Sequence, residues 1–230
     1  MAERELWTVP MGLVGYAEAL ELQRNIARDR ISGAIRQDVL LLLEHPPVVT
    51  LGRSSKEEHL VASPEFLAQH GVEKFETERG GDVTFHGPGQ LVGYPVIDLK
   101  RHRQDLHWYL RQLEEVLIDM LSDFGISSER RAGLTGVWTG GKKIASIGVH
   151  ARDWVTWHGF ALNVNTNLSF FDLIIPCGIS GVVMTSISRE LGLEQVRMAD
   201  VRDRVTASFA RAFDLTAVMM PRSTLFETVA

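Results

Sequence analysis

The chain has 230 residues, of which 45% are hydrophobic and 23% charged, and 24 Lys and Arg against 29 Asp and Glu give a net charge of -5 at pH 7. These ordinary values exclude disordered, collagen-like and coiled-coil classes. Nucleic-acid binders are normally basic, so we expect no nucleic-acid partner. The single cysteine excludes an internal disulfide and a multi-cysteine zinc site, and it fits a reducing, cytoplasmic location.

No targeting or membrane segment is evident in the sequence. Glu3, Arg4 and Glu5 stand where a signal peptide would need its apolar stretch. The longest strongly apolar run, residues 39–43, is far shorter than the ~20 residues that a membrane helix requires. We therefore expect no membrane partner.

The first half of the chain predicts one helix and several strands. Apolar residues recur on one face of 16–31, which predicts an amphipathic helix that ends at Gly33. The apolar run 39–43 is closed by two prolines and predicts a buried strand, and 48–51 predicts another. Residues 83–86, between two glycine turns, and residues 91–99 predict two more strands.

The second half begins with the clearest helix, 105–124, whose apolar residues keep a 3.6-residue period up to a glycine cap at Gly125. Residues 137–138, 143–150 and 154–164 predict strands, with a turn at 151–153, and 198–213 predicts a last amphipathic helix. Helices and strands alternate without regular strand–helix–strand units. The sequence thus predicts an α+β fold, in a single domain over 1–230, with a mixed or antiparallel sheet and packed helices.

The glycine-rich segment 79–93 invites a comparison with nucleotide-binding loops. Its third glycine is one residue late for a dinucleotide fingerprint, and a strand rather than a helix follows. Two interpretations remain. The glycines form two tight turns around a short strand, or they let a substrate approach the backbone closely, with Arg79 and His86 at the rim.

The eight histidines show no metal-ligand spacing, and the sequence contains no His-Glu-x-x-His motif. His102 and His107 are five residues apart, which places them on different faces of a helix. We expect no metal site, and a zinc enzyme is a minor alternative.

Two residues could carry covalent chemistry. Cys177 lies between Pro176 and Gly178 on a turned loop. A lone cysteine is usually a small buried hydrophobe, but this setting could present the thiol as a nucleophile if a base or cation is near. Lys143 opens a strand with Ala145 and Ile147 on its side, so it is either a solvated strand end or a buried lysine, and the pattern alone favours the solvated end.

Several segments, in the same order, resemble the lipoyl(octanoyl)transferases of the protein lipoylation pathway. The matching residues, within about 38–192, are Leu43-Glu44-His45-Pro46, the block from Arg79-Gly80-Gly81-Asp82-Val83-Thr84-Phe85-His86 to Gly93-Tyr94-Pro95, Gly136-Val137-Trp138, Lys143-Ile144-Ala145-Ser146-Ile147-Gly148-Val149, His158-Gly159-Phe160-Ala161-Leu162-Asn163 and Pro176-Cys177-Gly178-Ile179. The long block and the Pro-Cys-Gly loop make the resemblance specific.

The resemblance implies a biotin/lipoate ligase-like catalytic fold and a transfer of an octanoyl or lipoyl group, with no cofactor. Cys177 would attack the donor thioester and hold the acyl group, and Lys143 would lower the pKa of the thiol and shuttle protons. The implied substrate-binding residues are Arg79, Gly80, Gly81, Asp82, Val83, Thr84, Phe85, His86, Ser146, Ile147, Gly148, His158, Gly159 and Phe160.

The implied partners are octanoyl-acyl carrier protein as the donor, and the apo lipoyl domains of 2-oxoacid dehydrogenase complexes and the glycine cleavage H protein as acceptors. Carrier proteins of this kind are acidic, so Arg79, the run 100–103, Arg130 with Arg131, and Lys142 are candidate docking charges. Two other functions remain open. An ATP-dependent lipoate-protein ligase would need no cysteine, and a non-catalytic acyl- or carrier-binding module would keep its activity without Cys177.

Overall fold

The structure is a computed structural model that describes residues 4–175 and 181–228. Its strands are β1 (Glu5–Leu13), β2 (Asp38–Glu44), β3 (Val48–Leu51), β4 (Glu73–Glu76), β5 (Val83–His86), β6 (Gln90–Val96), β7 (Glu129–Arg131), β8 (Leu134–Thr139), β9 (Lys142–Arg152), β10 (Val155–Asn163) and β11 (Thr216–Met219). Its α-helices are α1 (Tyr16–Ser32), α2 (Pro64–Gln69), α3 (Leu106–Ser122), α4 (Ile187–Leu191), α5 (Met198–Phe213) and α6 (Arg222–Thr228).

The strands form two mixed sheets. The large sheet has the order β11-β1-β2-β6-β10-β9-β8-β7. In this sheet β1 runs parallel to β2 and β11, and the other neighbours are antiparallel. The small sheet has the order β4-β3-β5. The α+β prediction with a mixed sheet is therefore confirmed.

Three helices, α1, α3 and α5, cover the two faces of the large sheet, each through the apolar face that the sequence predicts. The α1 helix ends at Gly33, whose φ of 83° is the left-handed cap conformation. The α3 helix begins after Asp105, whose side chain accepts a hydrogen bond from the backbone N–H of Trp108. One core lies between the sheet, α3 and α5, and a second lies under α1.

The small sheet has its own apolar cluster, which includes Phe85 of β5 and Phe171 and Ile174 of the segment before residue 176. The Phe85 ring stacks on Phe170 at a centroid distance of 4.8 Å. Because β5 continues the glycine-rich segment, this packing fixes that segment beside the large sheet.

Several elements were not predicted from the sequence: β1, β4, β7, β11, α2, α4 and α6. The predicted strand 91–99 ends earlier, at Val96, and a short 3₁₀ turn follows at Leu99–Arg101. Among the helices of the described ranges, none combines the length and apolar character needed to cross a bilayer.

Candidate active site

A narrow cavity of about 40 Å³ lies where the glycine-rich segment meets β6, β9 and β10. The lining residues are Arg79, Gly81, Asp82, Val83, Thr84, His86, Tyr94, Ser146, Ile147, Gly148, His158, Gly159, Phe160 and Ala161. The structure thus brings together the predicted substrate-binding residues apart from Gly80 and Phe85, which are not among the lining residues. It adds Tyr94 and Ala161.

The glycine-rich segment lies directly on β9, backbone against backbone. The N–H of Gly80 donates to the carbonyl of Val149 at 2.8 Å. A Cβ atom on Gly148 would stand 2.7 Å from the carbonyl oxygen of Gly80, closer than real Cβ atoms come. The missing side chain at Gly148 therefore lets the segment close over the strand and form one wall of the cavity.

Arg79 anchors this segment rather than facing solvent. Its side chain is buried, and it donates to the carbonyl oxygen of Thr50 at 2.7 Å and to the Thr50 hydroxyl at 2.9 Å. Another guanidinium nitrogen donates to Gly80 O at 3.1 Å. One of the two interpretations of the glycine-rich segment put Arg79 at the rim of a substrate site. The structure places it in the cavity lining but buries its side chain, because the loop carbonyls and Thr50 provide its hydrogen-bond acceptors inside the protein.

His86 is also buried and lines the cavity, and a chain of amide side chains fixes its ring. Its Nδ1 lies 2.8 Å from Gln90 Oε1. Gln90 Nε2 donates to Phe85 O and to Asn163 Oδ1, so Gln90 Oε1 is the acceptor and Nδ1 carries the proton. Burial holds the pKa of His86 well below its ordinary value, and the nearby His45 lowers it further. At neutral pH the ring is therefore neutral, and its Nε2 is an acceptor.

A second buried imidazole supports the cavity from behind. His45 Nδ1 donates to the carbonyl of Val14 at 2.7 Å, and its Nε2 accepts from the hydroxyl of Tyr94, also at 2.7 Å. Burial lowers the pKa of His45 to about 4 and raises that of Tyr94 well above its ordinary value. Both groups are neutral at pH 7, so this wall of the cavity adds no charge.

His158 forms another part of the wall in an unusual backbone conformation. Its φ of 56° lies in the left-handed region, and its N–H donates to Gln23 Oε1 of α1 at 2.8 Å. Its Nε2 lies 3.3 Å from the Thr77 hydroxyl and 3.8 Å from Glu78 Oε1. Burial lowers the pKa of His158, and Glu78 opposes that shift. The carboxylate and the α1 amide together hold the ring at the cavity.

Glu78 connects this histidine to the outer helix. Arg24 donates to both of its oxygens, at 2.9 and 2.7 Å, and Trp157 Nε1 donates to it at 2.9 Å. His158 and these two donors hold the pKa of Glu78 far below its ordinary value. The residue stays ionised and fixes the chain just before Arg79.

Lys143 is fully buried at the start of β9, with 1% of its surface exposed. The solvated strand end that the pattern favoured is therefore wrong, and the buried alternative is observed. Its Nζ lies 5.5 Å from the centre of the Trp138 ring. The neighbouring Lys142 is partly exposed and pairs with Glu190 at 2.5 Å.

Cys177 lies outside the described residues, and the segments on either side of it are held by backbone hydrogen bonds. Before it, Ile175 N–H donates to His59 O at 2.8 Å. After it, Lys143 N–H donates to Val183 O at 2.8 Å, and Thr185 N–H donates to Lys143 O at 2.9 Å. The chain therefore returns from this loop directly alongside Lys143.

Sequence reasoning missed the residues that support the predicted ones. Gln90, itself held by Asn163 from a distant part of the chain, orients His86 through a hydrogen bond. Glu78 lies 3.8 Å from His158 Nε2, within ion-pair distance. His59, which pairs with Asp82 at 2.5 Å, was also not expected. Gln90, Tyr94 and Asn163 belong to the matched motifs, so the resemblance contained a signal for them, whereas His59 lies outside every matched motif.

The lining of the cavity is mostly apolar. Val83, Ile147 and Phe160 supply apolar walls, and the imidazoles beside them are neutral at pH 7. Across the described ranges, 4–175 and 181–228, no group of three or more His, Cys, Asp or Glu side chains is arranged to hold a metal ion. The fold and site define an α+β domain with a narrow, partly apolar slot and a fully buried lysine on one of the strands that line it.

Comparison with known proteins agrees with this architecture. The sequence profile of the lipoyl protein ligase A/B catalytic domain matches residues 15–210. The bipartite lipoate protein ligase of Thermoplasma acidophilum superimposes with a TM-score of 0.77 at 16% identity, covering 98% of this chain and 90% of that one. The biotin protein ligase of Aquifex aeolicus shares the fold more distantly, with a TM-score of 0.51 at 13% identity over 92% of this chain and 72% of that one.

Closer relatives are curated octanoyltransferases. The protein from Gloeobacter violaceus is 51% identical over 202 residues, which cover 88% of this chain and 87% of the relative. The protein from Solibacter usitatus is 50% identical over 215 residues, covering 94% of this chain and 95% of the relative. The chain belongs to the octanoyltransferase family within the lipoyl protein ligase A/B catalytic domains. It is an enzyme, an acyltransferase.

Proposed function

We propose that this enzyme moves an octanoyl group from acyl carrier protein to a lysine of lipoyl domains, through a thioester on Cys177. The observation that carries the mechanism is the buried Lys143, hydrogen-bonded through its backbone to the segment that follows Cys177. The acceptors are the lipoyl domains of 2-oxoacid dehydrogenase complexes and the glycine cleavage H protein. We also propose a cytoplasmic location, where a thiol nucleophile stays reduced.

The first half-reaction exchanges one thioester for another. The Cys177 thiolate attacks the acyl carbonyl, the bond to the carrier sulfur breaks, and the carrier leaves as a thiol after taking up one proton. Lys143, as an ammonium, stabilises the thiolate and supplies that proton. Little free energy is lost because the bond type does not change.

The second half-reaction forms an amide. The acceptor amine attacks the Cys177 thioester, the C–S bond breaks, and the proton lost from the amine returns to Lys143. An amide is more stable than a thioester, so this step runs downhill. Two large carriers can then dock in turn at one entrance, which is a ping-pong sequence.

The cavity supports a place for the acyl chain. Its apolar walls come from β5, β9 and β10, and β9 runs from Lys143 to the lining residues Ser146, Ile147 and Gly148. An octanoyl chain bound in the cavity would lie along β9, with its carbonyl group toward Lys143. At about 40 Å³ the cavity is tight, so we expect the chain to displace side chains of the wall as it enters.

Intact mass spectrometry tests this function. After mixing with octanoyl-acyl carrier protein, the protein should gain one octanoyl group that hydroxylamine removes, and Cys177→Ala should gain none. Transfer without ATP excludes the ligase alternative. A Cys177→Ala variant that still transfers the group at a normal rate would refute the covalent mechanism, and full biological activity without turnover would favour the binding-module alternative.

A further inference from the structure

Trp138 and Lys143 lie opposite each other on neighbouring strands, and both are 1% exposed. They are paired in the register of β8 and β9, just past an irregularity between Val137 and Trp138. The Nζ atom of Lys143 lies 5.5 Å from the centre of the indole ring, within the distance at which a cation is attracted to an aromatic face.

Gly136 makes the path of the lysine side chain possible. Its φ of 134° is a conformation that residues with side chains rarely adopt. A Cβ atom there would stand 2.8 Å from Lys143 Cε and 2.7 Å from Ala145 O. The alkyl chain of Lys143 therefore passes over a position without a side chain before its ammonium reaches the indole.

The N–H group of the Trp138 indole does not explain why a tryptophan stands at this position. Trp138 Nε1 is buried and, among the described residues, has no hydrogen-bond partner. A buried donor without an acceptor costs free energy, and leucine or phenylalanine would avoid that cost. A second cation, Arg131, also lies over this ring, with Cζ 4.4 Å from its centre.

We infer that Trp138 is a positioning residue for the acyl transfer: its ring holds the ammonium of Lys143, over Gly136, in the position from which the lysine carries out its proposed role. The inference rests on the proposed role of Lys143. A ring that offers negative charge density to an ammonium both limits the movement of the side chain and stabilises its charge in a buried site. Loss of the ring should therefore affect the chemical step more than donor binding.

A pair of variants distinguishes the effect of the aromatic ring from the effect of side-chain volume at position 138. Trp138→Phe and Trp138→Leu both remove the unpartnered N–H and leave space, but only phenylalanine keeps a ring face. We expect Trp138→Leu to lower kcat and the rate of Cys177 alkylation by iodoacetamide about tenfold, with KM for octanoyl-acyl carrier protein little changed. Trp138→Phe should retain most of both rates. Arg204→Ala, which removes a cation from another ring, that of Phe124 at 4.7 Å, is the control and should leave both rates unchanged.

Fluorinated tryptophans placed at position 138 alone test the same point without a change in packing. Fluorine withdraws electron density from the ring face, so the alkylation rate should fall stepwise from mono- to trifluorotryptophan. No trend in this series, or equal rates in the phenylalanine and leucine variants, would overturn the inference. A Lys143→Ala variant with normal turnover would instead overturn the proposed function, so the two failures are distinguishable.

Discussion

At the scale of single residues, the two adjacent lysines give a matched test of the proposed chemistry. Lys143 is buried, whereas Lys142 is partly exposed and paired with Glu190, a kind of ion pair that contributes little. Lys143→Ala should slow alkylation of Cys177 at pH 7 and reduce transfer by at least about tenfold, while Lys142→Ala should change neither. Lys143→Arg should not restore the rate, because a guanidinium does not exchange protons. Equal losses in both alanine variants would mean that local charge alone matters.

His45 gives a residue-scale prediction about pH and stability. Its pKa is about 4 in the folded protein because it is buried, against an ordinary value of 6.5. Between these values the unfolded chain binds more protons, so the free energy of unfolding falls as the pH drops from 6.5 to 4. The full effect is about 3 kcal/mol, since one pKa unit corresponds to about 1.4 kcal/mol. The lowered pKa values of His86 and His158 act in the same direction.

Urea unfolding at pH 7 and pH 5 measures this effect. The wild-type protein should be clearly less stable at pH 5, and His45→Gln should show a smaller difference between the two pH values because one buried imidazole is gone. His70, which is exposed on the surface, supplies the control variant His70→Gln, for which the difference should match the wild type. An unchanged difference in His45→Gln would show that this histidine does not contribute.

At the scale of elements, the contact between the glycine-rich segment and β9 decides whether the cavity forms. Gly148→Ala would place a Cβ atom 2.7 Å from Gly80 O, so the segment must move away from the strand. We expect about 1–3 kcal/mol lower stability and a higher KM for the acyl donor. Thermal melts and donor titrations measure both. Gly15→Ala is the control, since its Cβ would meet nothing within 4 Å, and a similar loss in both variants would contradict a specific role for Gly148.

The elements that the sequence predicts are those with a strong local pattern. Residues 198–213 keep a clear helical period, and α5 has those bounds. By contrast, β1 mixes Trp7, Thr8 and Pro10 without strict alternation, and it becomes a strand because it pairs with both β2 and β11. The strand β11 has only four residues, too few to show a clear alternation, so only its long-range pairing reveals it.

In the candidate site, too, the sequence predicts features that lie in one contiguous segment and misses those that join distant segments. The matched motifs name most of the cavity residues, because these stand in short contiguous blocks. The hydrogen bonds that orient them join residues far apart in sequence: Gln90 to Asn163, and Glu78 to Arg24. The periodicity of apolar residues carries no information on such pairs, and the burial of Lys143 depends on the glycine at position 136 and on the register of two strands.

At the scale of the whole molecule, charge limits how an acidic carrier can approach. The protein has a net charge of -5, so attraction must be local. Two of the candidate docking charges cannot attract the carrier effectively. Arg79 is buried against Thr50, and the charge of Lys142 is paired with that of Glu190. An exposed cationic group remains at the 3₁₀ turn after β6, where Lys100 and Arg101 follow each other in the chain and Arg101 donates to the carbonyl oxygen of Arg36.

We therefore predict that transfer from octanoyl-acyl carrier protein weakens as salt rises, through KM more than through kcat, because salt screens attraction between exposed charges. A small octanoyl thioester without the carrier should show little salt dependence. Lys100→Glu should raise KM for the carrier-bound donor at low salt, whereas Lys74→Glu, the same charge change on the exposed strand β4, should not. Steady-state kinetics over a salt series measure all four cases. If both donors respond equally to salt, or both lysine variants behave alike, docking does not depend on this cationic group, and the thioester chemistry is unaffected by that result.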